Sequence, residues 1–345
     1  MSETTVLKNA RMEKTELMKA VFAPRYGPPE EAIEVREVEK PDVEEGKVLV
    51  KIYASSMNPA DYHTIAGGSM RVFTGLRKPK DPRFGSDIAG RVEAVGENVT
   101  RFKPGDEVYG VCQGGFAEYG SAKETRIGLK PTHASFEQAA AAPIAAVTAL
   151  QGLRDKGHIR AGQKVLVNGA SGGVGTFAVQ IAKSYGTEVT GVTSTRNLEL
   201  VRKIGADQVI DYTKEDFTRN GQRYDLILDA VGNHSISDYK RALNPGGIAV
   251  IVGFSGFFGL ISHMVVGRVV SKFGDKKVTM FVANIVPDDL EFLGKLIDTG
   301  KVTPVIDRHY TLDEIPDAVR YVVGPHHKPG HARGKVIIDV AQGGS

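Results

Sequence analysis

The sequence predicts a two-domain α/β protein: a doubly wound parallel sheet beside a smaller β-barrel. Three observations carry this. The first third reads as short strands punctuated by Pro and Gly about every ten residues. Near Ser135 the texture changes to an alanine-rich helical run, FEQAAAAPIAAVTALQGL, with a break at Pro143. After it, strands and helices alternate, and the strands are near-continuous apolar runs, as strands buried on both faces should be. A length of 345 residues with 41% apolar content fits about two domains.

Taken in order, Val48–Tyr53 is β-rich and Arg91–Val95 alternates. Gly96-Glu97-Asn98 and Phe102–Asp106 then turn the chain around before Val108–Val111. Beyond the alanine run, strands are expected at Lys164–Asn168, Glu188–Thr193, Gln208–Asp211, Tyr224–Ala230 and Ile248–Phe254. Helices are expected at Gly173–Tyr185, Asn197–Ile204 and Ser235–Leu243. Helices Asp288–Thr299 and Tyr310–Val323 follow, then a last strand, Lys335–Val340. The expected division is a loose extension 1–17, a barrel domain 18–140, a nucleotide-binding domain 141–284, a return to the barrel 285–340 and a tail 341–345.

Composition narrows the function. Lys+Arg (44) nearly cancels Asp+Glu (41), leaving a net charge of +3. That balance, without a basic run, gives no phosphate-tracking patch, so no nucleic-acid partner is expected. The single cysteine, Cys112, excludes an internal disulfide framework and any multi-cysteine metal site. The N-terminal run MSETTVLKNARMEKTELM mixes both charges and lacks the apolar core of a secretory signal, so a cytoplasmic location is expected. Residues 244–267 carry no Asp, Glu, Lys or Arg, but their Gly, Pro, Ser and His content argues against a transmembrane span. Phe257–Phe273 reads as an apolar helix, expected to serve as a lid or a subunit contact.

The chemistry concentrates where strand Val165–Asn168 runs into Gly169-Ala170-Ser171-Gly172-Gly173-Val174-Gly175 and then a helix. Glycines without side chains let backbone N–H groups approach a pyrophosphate, and the helix N-terminus adds about half a positive charge. Strand before, helix after, inside a βαβ unit, is the context a dinucleotide site requires. The spacing is G-x-x-G-x-x-G rather than G-x-G-x-x-G. Ser171, Gly172, Gly173, Val174 and Gly175 are the expected contacts. Val231-Gly232 and Gly253-Phe254 end successive strands and should line the same crevice. The strand ending at Thr193 runs into Ser194-Thr195-Arg196 with no terminal carboxylate to hold a ribose 2′-hydroxyl. Arg196 offers a donor fork and Ser194 a hydroxyl suited to a 2′-phosphate, which favours NADPH over NADH.

Gly162-Gln163, Leu166, Ala170–Gly173, Gly175, Gln180 and Lys183 together resemble the quinone oxidoreductase/zeta-crystallin signature of the medium-chain dehydrogenase/reductase superfamily. Gly105-Asp106-Val108, Gly205-Ala206-Asp207 and Gly334-Lys335-Val336 are similar to further landmarks of that family, and the resemblance runs from Met18 to Val340. It implies that the barrel is GroES-like, that the parallel domain is a Rossmann fold, and that the active site lies between them. Zinc-dependent members carry Cys-His-Thr/Ser-Asp and Gly-His-Glu where this chain has Asn58-Pro59-Ala60-Asp61 and Gly85-Ser86-Asp87. Asn and Ser are poor zinc ligands, so no metal is expected.

The resemblance further places Asn58 near nicotinamide and substrate, Thr148 facing the cofactor, Tyr212 at the 2′-phosphate, and Phe281 and Lys335 near nicotinamide or phosphate. His63 stands where zeta-crystallin-like members carry Tyr, and is a candidate proton donor. The expected function is zinc-independent, NADPH-dependent hydride transfer to an electrophilic small molecule, a quinone or α,β-unsaturated carbonyl. An enoyl-thioester or alcohol/ketone reductase, and a non-catalytic NADPH-binding sensor or structural protein, are the alternatives. Family habit suggests a homodimer.

Overall fold

A computed structural model describes residues 16–67, 71–253, 275–324 and 332–341. Phe254 and the apolar segment Phe257–Phe273 lie outside the described residues.

Strands β1 (Leu17–Phe22) and β2 (Glu34–Glu39) pair antiparallel as a ribbon. The barrel uses β3 (Lys47–Met57), β4 (Asp87–Val95), β5 (Glu107–Val111), β6 (Tyr119–Lys123) and β7 (Ile127–Leu129). The eleven-residue β3 is its spine, pairing with β4 along most of its length and with β6 over Lys47–Lys51.

The parallel sheet holds β8 (Lys164–Asn168), β9 (Glu188–Thr193), β10 (Gln208–Asp211), β11 (Tyr224–Asp229), β12 (Leu243–Ile251) and β13 (Lys277–Met280). Their order is β10-β9-β8-β11-β12-β13, every pair parallel. Chain direction across the sheet reverses at β8, which opens a crevice at the carboxyl ends of β8 and β11. After the parallel domain, β14 (Ile306–Thr311) and β15 (Lys335–Asp339) return to the barrel, with β15 inserted between β14 and β3. This is the α/β architecture expected, a Rossmann sheet beside a GroES-like domain.

The alanine run is what joins the two domains. Ser135 caps helix Phe136–Ala140 in a capping box with Gln138. Pro143 then starts helix Pro143–Gln151, which continues into one π turn, Gly152–Lys156. Small side chains allow close approach, and Ala139, Ala140, Ala142, Ala145, Ala146 and Ala149 are all buried. One apolar cluster runs through them from Ala54, Ala89 and Tyr109 of the barrel to Val165 and Phe177 of the parallel domain. Tyr109 also donates its hydroxyl to the Leu290 carbonyl of helix Pro287–Asp298.

Three elements differ from expectation. Tyr310–Val323 is not one helix: Tyr310 and Thr311 end β14, a 3-10 turn covers Leu312–Glu314, and the helix is Ile315–Val323. The cause is local, because Thr311 and Glu314 form a capping box that fixes the start and Pro316 sits in the first turn. Strand β12 begins at Leu243 rather than Ile248, its register shifting between the Tyr224↔Leu243 and Leu226↔Ile248 pairs as Pro245-Gly246-Gly247 passes. Strand β13, with only four residues, carried too short a pattern to be foreseen.

Candidate active site

The turn after β8 closes only as glycine. Gly169 adopts φ +80°, and a Cβ on it would meet Val231 Cγ2 at 2.8 Å; a Cβ on Gly175 would lie 2.0 Å from the Gly169 carbonyl oxygen. Gly172 differs, since a Cβ there would find nothing nearer than 3.4 Å. Its missing side chain therefore serves open space rather than packing. Gly172 is also the N-cap of helix Gly173–Ser184, and as glycine it brings no side-chain cap to that helix. Uncapped first-turn N–H groups beside an open glycine form the cradle that a pyrophosphate fits.

Strand β15 reaches this cradle from the barrel. The Gly334 N–H donates to the Ser171 carbonyl at 2.8 Å, and Gly172 and Gly334 form an isolated parallel bridge. The Lys335 stem then lies over the turn, so that a Cβ on Gly173 would stand 3.2 Å from Lys335 Cδ.

From there the lysine turns inward. Its side chain is 3% exposed, and its ammonium donates to Asn58 Oδ1 at 2.6 Å and Asp87 Oδ2 at 3.3 Å. Asn58 Nδ2 donates to Asp87 Oδ2 at 2.9 Å, Ser56 Oγ to the same oxygen at 2.8 Å, and the Ile144 N–H to Asp87 Oδ1 at 3.0 Å. Asp87, with no exposed surface, thus collects four donors, one of them the first turn of helix Pro143–Gln151. A buried carboxylate and ammonium need such company, because either alone would cost several kcal/mol. Asn58 caps helix Pro59–Ala66, where Asp61 Oδ2 accepts its backbone N–H at 2.8 Å. Burial, with the Asp87 charge adding to it, pushes the Asp61 carboxyl up to about 7; the Asn58 N–H, the Lys335 charge and the Ser86 hydroxyl pull the other way.

At the other side of the glycine turn, Ser171 Oγ accepts from Thr193 Oγ1 at 2.8 Å and from Asn197 Nδ2 at 3.0 Å. The Asn197 amide reaches Ser194 Oγ at 3.4 Å, while its own buried Oδ1 has no hydrogen-bond partner among the described residues. Arg196 stands exposed in the 3-10 turn Thr195–Asn197, and Tyr212 is exposed just past β10. At the end of β11, buried Asp229 accepts from Val231 N–H and Gly232 N–H at 2.7 Å each, Asn168 Nδ2 at 3.0 Å and Tyr239 Oη at 2.6 Å. This carboxylate shapes the second wall of the crevice.

Of the residues singled out in the sequence, Asn58 and Lys335 meet directly, and Lys335 covers Gly173. Ser171 and Ser194 share Asn197, and Val231 packs on Gly169. Gly253 serves packing, since a Cβ on it would lie 2.1 Å from the Ala230 carbonyl oxygen. Thr148 is half-buried on helix Pro143–Gln151. Phe281 is half-buried just past β13, with Lys156 Nζ 5.9 Å from its ring centre. His63 is half-buried on helix Pro59–Ala66, its ring 6.2 Å from that of Tyr62. Asp87, Asp61, Asp229 and Asn197 were missed as site residues. The signal was present for Asp87 and Asp229: each carboxylate bounds an apolar strand run, DIAG and DLILD, where burial obliges a partner. Among the described residues, no group of three or more His, Cys, Asp or Glu is placed to hold a metal ion.

Two family models match the chain: an alcohol dehydrogenase GroES-like domain over residues 44–151 and a zinc-binding dehydrogenase domain over 204–338. The chain is 33% identical to a chloroplastic quinone-oxidoreductase homolog of Spinacia oleracea over 343 residues, covering 94% of this chain and 98% of that protein. It is 33% identical to a chloroplastic NADPH-dependent alkenal/one oxidoreductase of Arabidopsis thaliana, covering 86% and 73%. The quinone oxidoreductase of Coxiella burnetii has a similar solved structure, with a TM-score of 0.81 at 30% identity over 94% of this chain and all of that one. The glycine cradle, the returning β15 and these likenesses converge: this chain is an oxidoreductase of the medium-chain dehydrogenase/reductase superfamily and belongs to its quinone oxidoreductase-like group.

Proposed function

We propose that the protein is a zinc-independent reductase that takes hydride from NADPH to a quinone or an α,β-unsaturated carbonyl. The observation that carries this is the buried Asn58–Asp87–Lys335 network. Two of the positions where zinc-dependent relatives keep ligands are Asn58 and Ser86, and Asp87 beside them already has an internal cation, Lys335, 3.3 Å away. The network is neutralised by the chain's own ammonium. Relatives named for quinones and for alkenals or enones support the acceptor class.

When bound, the nicotinamide supplies the hydride, and the protein sets orientation and electrostatics. The first-turn N–H groups from Gly173 hold the pyrophosphate, with Gly172 leaving room for it. Val231 and Gly232, pinned by Asp229, form the wall beside it. Arg196, Ser194 and Tyr212 take the 2′-phosphate end. Thr148 and Phe281 line the nicotinamide end, and His63 holds a proton within reach of the reduced acceptor. Asn58, its amide engaged at both ends, acts as a positioning residue that links Asp87 of β4 to Lys335 of β15. A cytoplasmic homodimer completes the proposal. Among the described residues, no helix is long and apolar enough to cross a membrane.

The test is a panel of quinones, enones, enoyl thioesters and simple ketones, read as loss of reduced-nicotinamide absorbance, with elemental analysis of the same preparation. Turnover of quinones or enones with zinc far below one per chain supports the proposal. Binding of NADPH with no turnover on any acceptor, or activity lost together with a stoichiometric zinc, overturns it. Gly172→Ala sharpens the cofactor part: the added methyl has space within the protein, so melting should be unchanged while NADPH affinity falls.

A further inference from the structure

The chain leaves the candidate site at Asn58, passes through helix Pro59–Ala66 and returns to the site at Ser86-Asp87. The far part of this excursion is basic. Residues 71–83 hold Arg71, Arg77, Lys78, Lys80 and Arg83 against a single carboxylate, Asp81, and the Arg83 guanidinium already engages that carboxylate. Arg71 is stacked over Tyr26, its guanidinium carbon 4.7 Å from the ring centre. Arg77, Lys78 and Lys80 are exposed, and among the described residues none of them has an ion-pair partner. Leu76, beside them, is 76% exposed.

This turn is braced. The Gly75 N–H donates to the Arg71 carbonyl at 2.9 Å, and the Lys80 N–H donates to the Thr74 carbonyl at 2.8 Å. The Tyr26 hydroxyl donates to the Gly75 carbonyl at 2.6 Å and lies 2.8 Å from Thr74 Oγ1. Gly75 has φ +132°, and a Cβ there would lie 2.1 Å from the Lys78 carbonyl oxygen, so the turn closes only on glycine. One exposed leucine is ordinary on a protein surface. A leucine held in the open beside unpaired cations is a different pattern. It offers charge to an anionic plane and an apolar side chain to the hydrocarbon beneath it. An acidic protein segment would satisfy the cations and leave Leu76 in water. The basic stretch Arg77–Lys80 is also shorter than the runs of about five to eight residues that mark nucleic-acid patches.

We propose that Leu76, Arg77, Lys78 and Lys80 form a docking tip for an anionic lipid surface, with the cations at the headgroups and Leu76 inserted among them. The contact is reversible, because so few groups fall well short of a stable lipid anchor. It needs neither a spanning helix nor a bound cofactor, so it stands apart from the reaction proposed above. It brings the excursion whose two ends meet at the site, Asn58 Nδ2 being 2.9 Å from Asp87 Oδ2, to the membrane face.

The probe is a pair of vesicle preparations, phosphatidylcholine alone and equal parts phosphatidylcholine and phosphatidylserine, co-sedimented with the full-length protein. Binding should occur with the anionic vesicles only and fade as salt rises. Arg77→Gln, Lys78→Gln and Lys80→Gln should each weaken it about fivefold, and Leu76→Ser about tenfold. Melting should be unchanged in all of them, since these side chains are exposed. Binding to neither preparation, equal binding to both, or wild-type binding by the combined Gln variant overturns the proposal. Soluble polyglutamate is the comparison ligand. If it binds as tightly as the anionic vesicles, and Leu76→Ser binds both like wild type, the tip recognises an acidic protein and the lipid assignment is wrong.

Discussion

At one end of the crevice Asp87 meets Lys335 with neither side chain more than 3% exposed; at the other, Arg196, Arg308 and Arg333 all stand exposed around a pocket with one carboxylate. Both ends concentrate charge, and they treat it oppositely. The buried end closes its own account of donors and acceptors, because a lone charge there has no water to turn to. At the exposed end water and salt supply that screening. Internal pairing thus marks charge that holds the fold, whereas charge at a rim is left within reach of solvent and salt.

That contrast is broken most forcefully at Lys335. Lys335→Met leaves the Asp87 carboxylate buried without its cation and should cost about 3–5 kcal/mol in urea unfolding. Adding Asp87→Asn should restore most of the loss. A single variant as stable as wild type would show that the pair does not hold β4 and β15 of the barrel in place. At the rim, Arg196→Ala should leave stability unchanged and remove about 1.5–3 kcal/mol of charged hydrogen bonding to NADPH, roughly a tenfold to hundredfold loss of affinity, with NADH spared. Equal losses for both cofactors would refute a phosphate role.

The smallest effect concerns Asp61, at the edge of the buried network. Its folded carboxyl titrates near about 7, above an unfolded value near 4. The folded state therefore holds more protons between those values, and stability falls as pH rises through that window. From about pH 6 to about pH 8 the decline assigned to this group is roughly 1 kcal/mol. Asp61→Asn should flatten that slope in urea midpoints measured across the range. A variant with the wild-type slope would assign the titration to another group.

The sequence was most readable where one local rule was enough. Strand Val165–Asn168, the glycine turn and the helix after it are specified by neighbours in the chain, and the structure places β8, the turn and the helix there. The capping box that splits Tyr310–Val323 is written in Thr311 and Glu314, although the segment reads as one helix until the box is noticed. The site was harder to read because its partners are distant. Asn58, Asp87 and Lys335 come from a helix cap, the start of β4 and the start of β15, and no spacing rule relates them.

The bond from Gly334 to Ser171 and the reach of Lys335 to Asn58, 277 residues away in sequence, also say something about biogenesis. Strand β15 closes the barrel by entering between β14 and β3, and the same strand completes the cradle at the glycine turn. Both events wait for a segment that leaves the ribosome after every other described strand. The parallel sheet can assemble as a unit during synthesis, whereas the long-range closure of the barrel is a late step. The turn after β8 is therefore completed only when the strand that closes the barrel has been made, so the two closures come as one event.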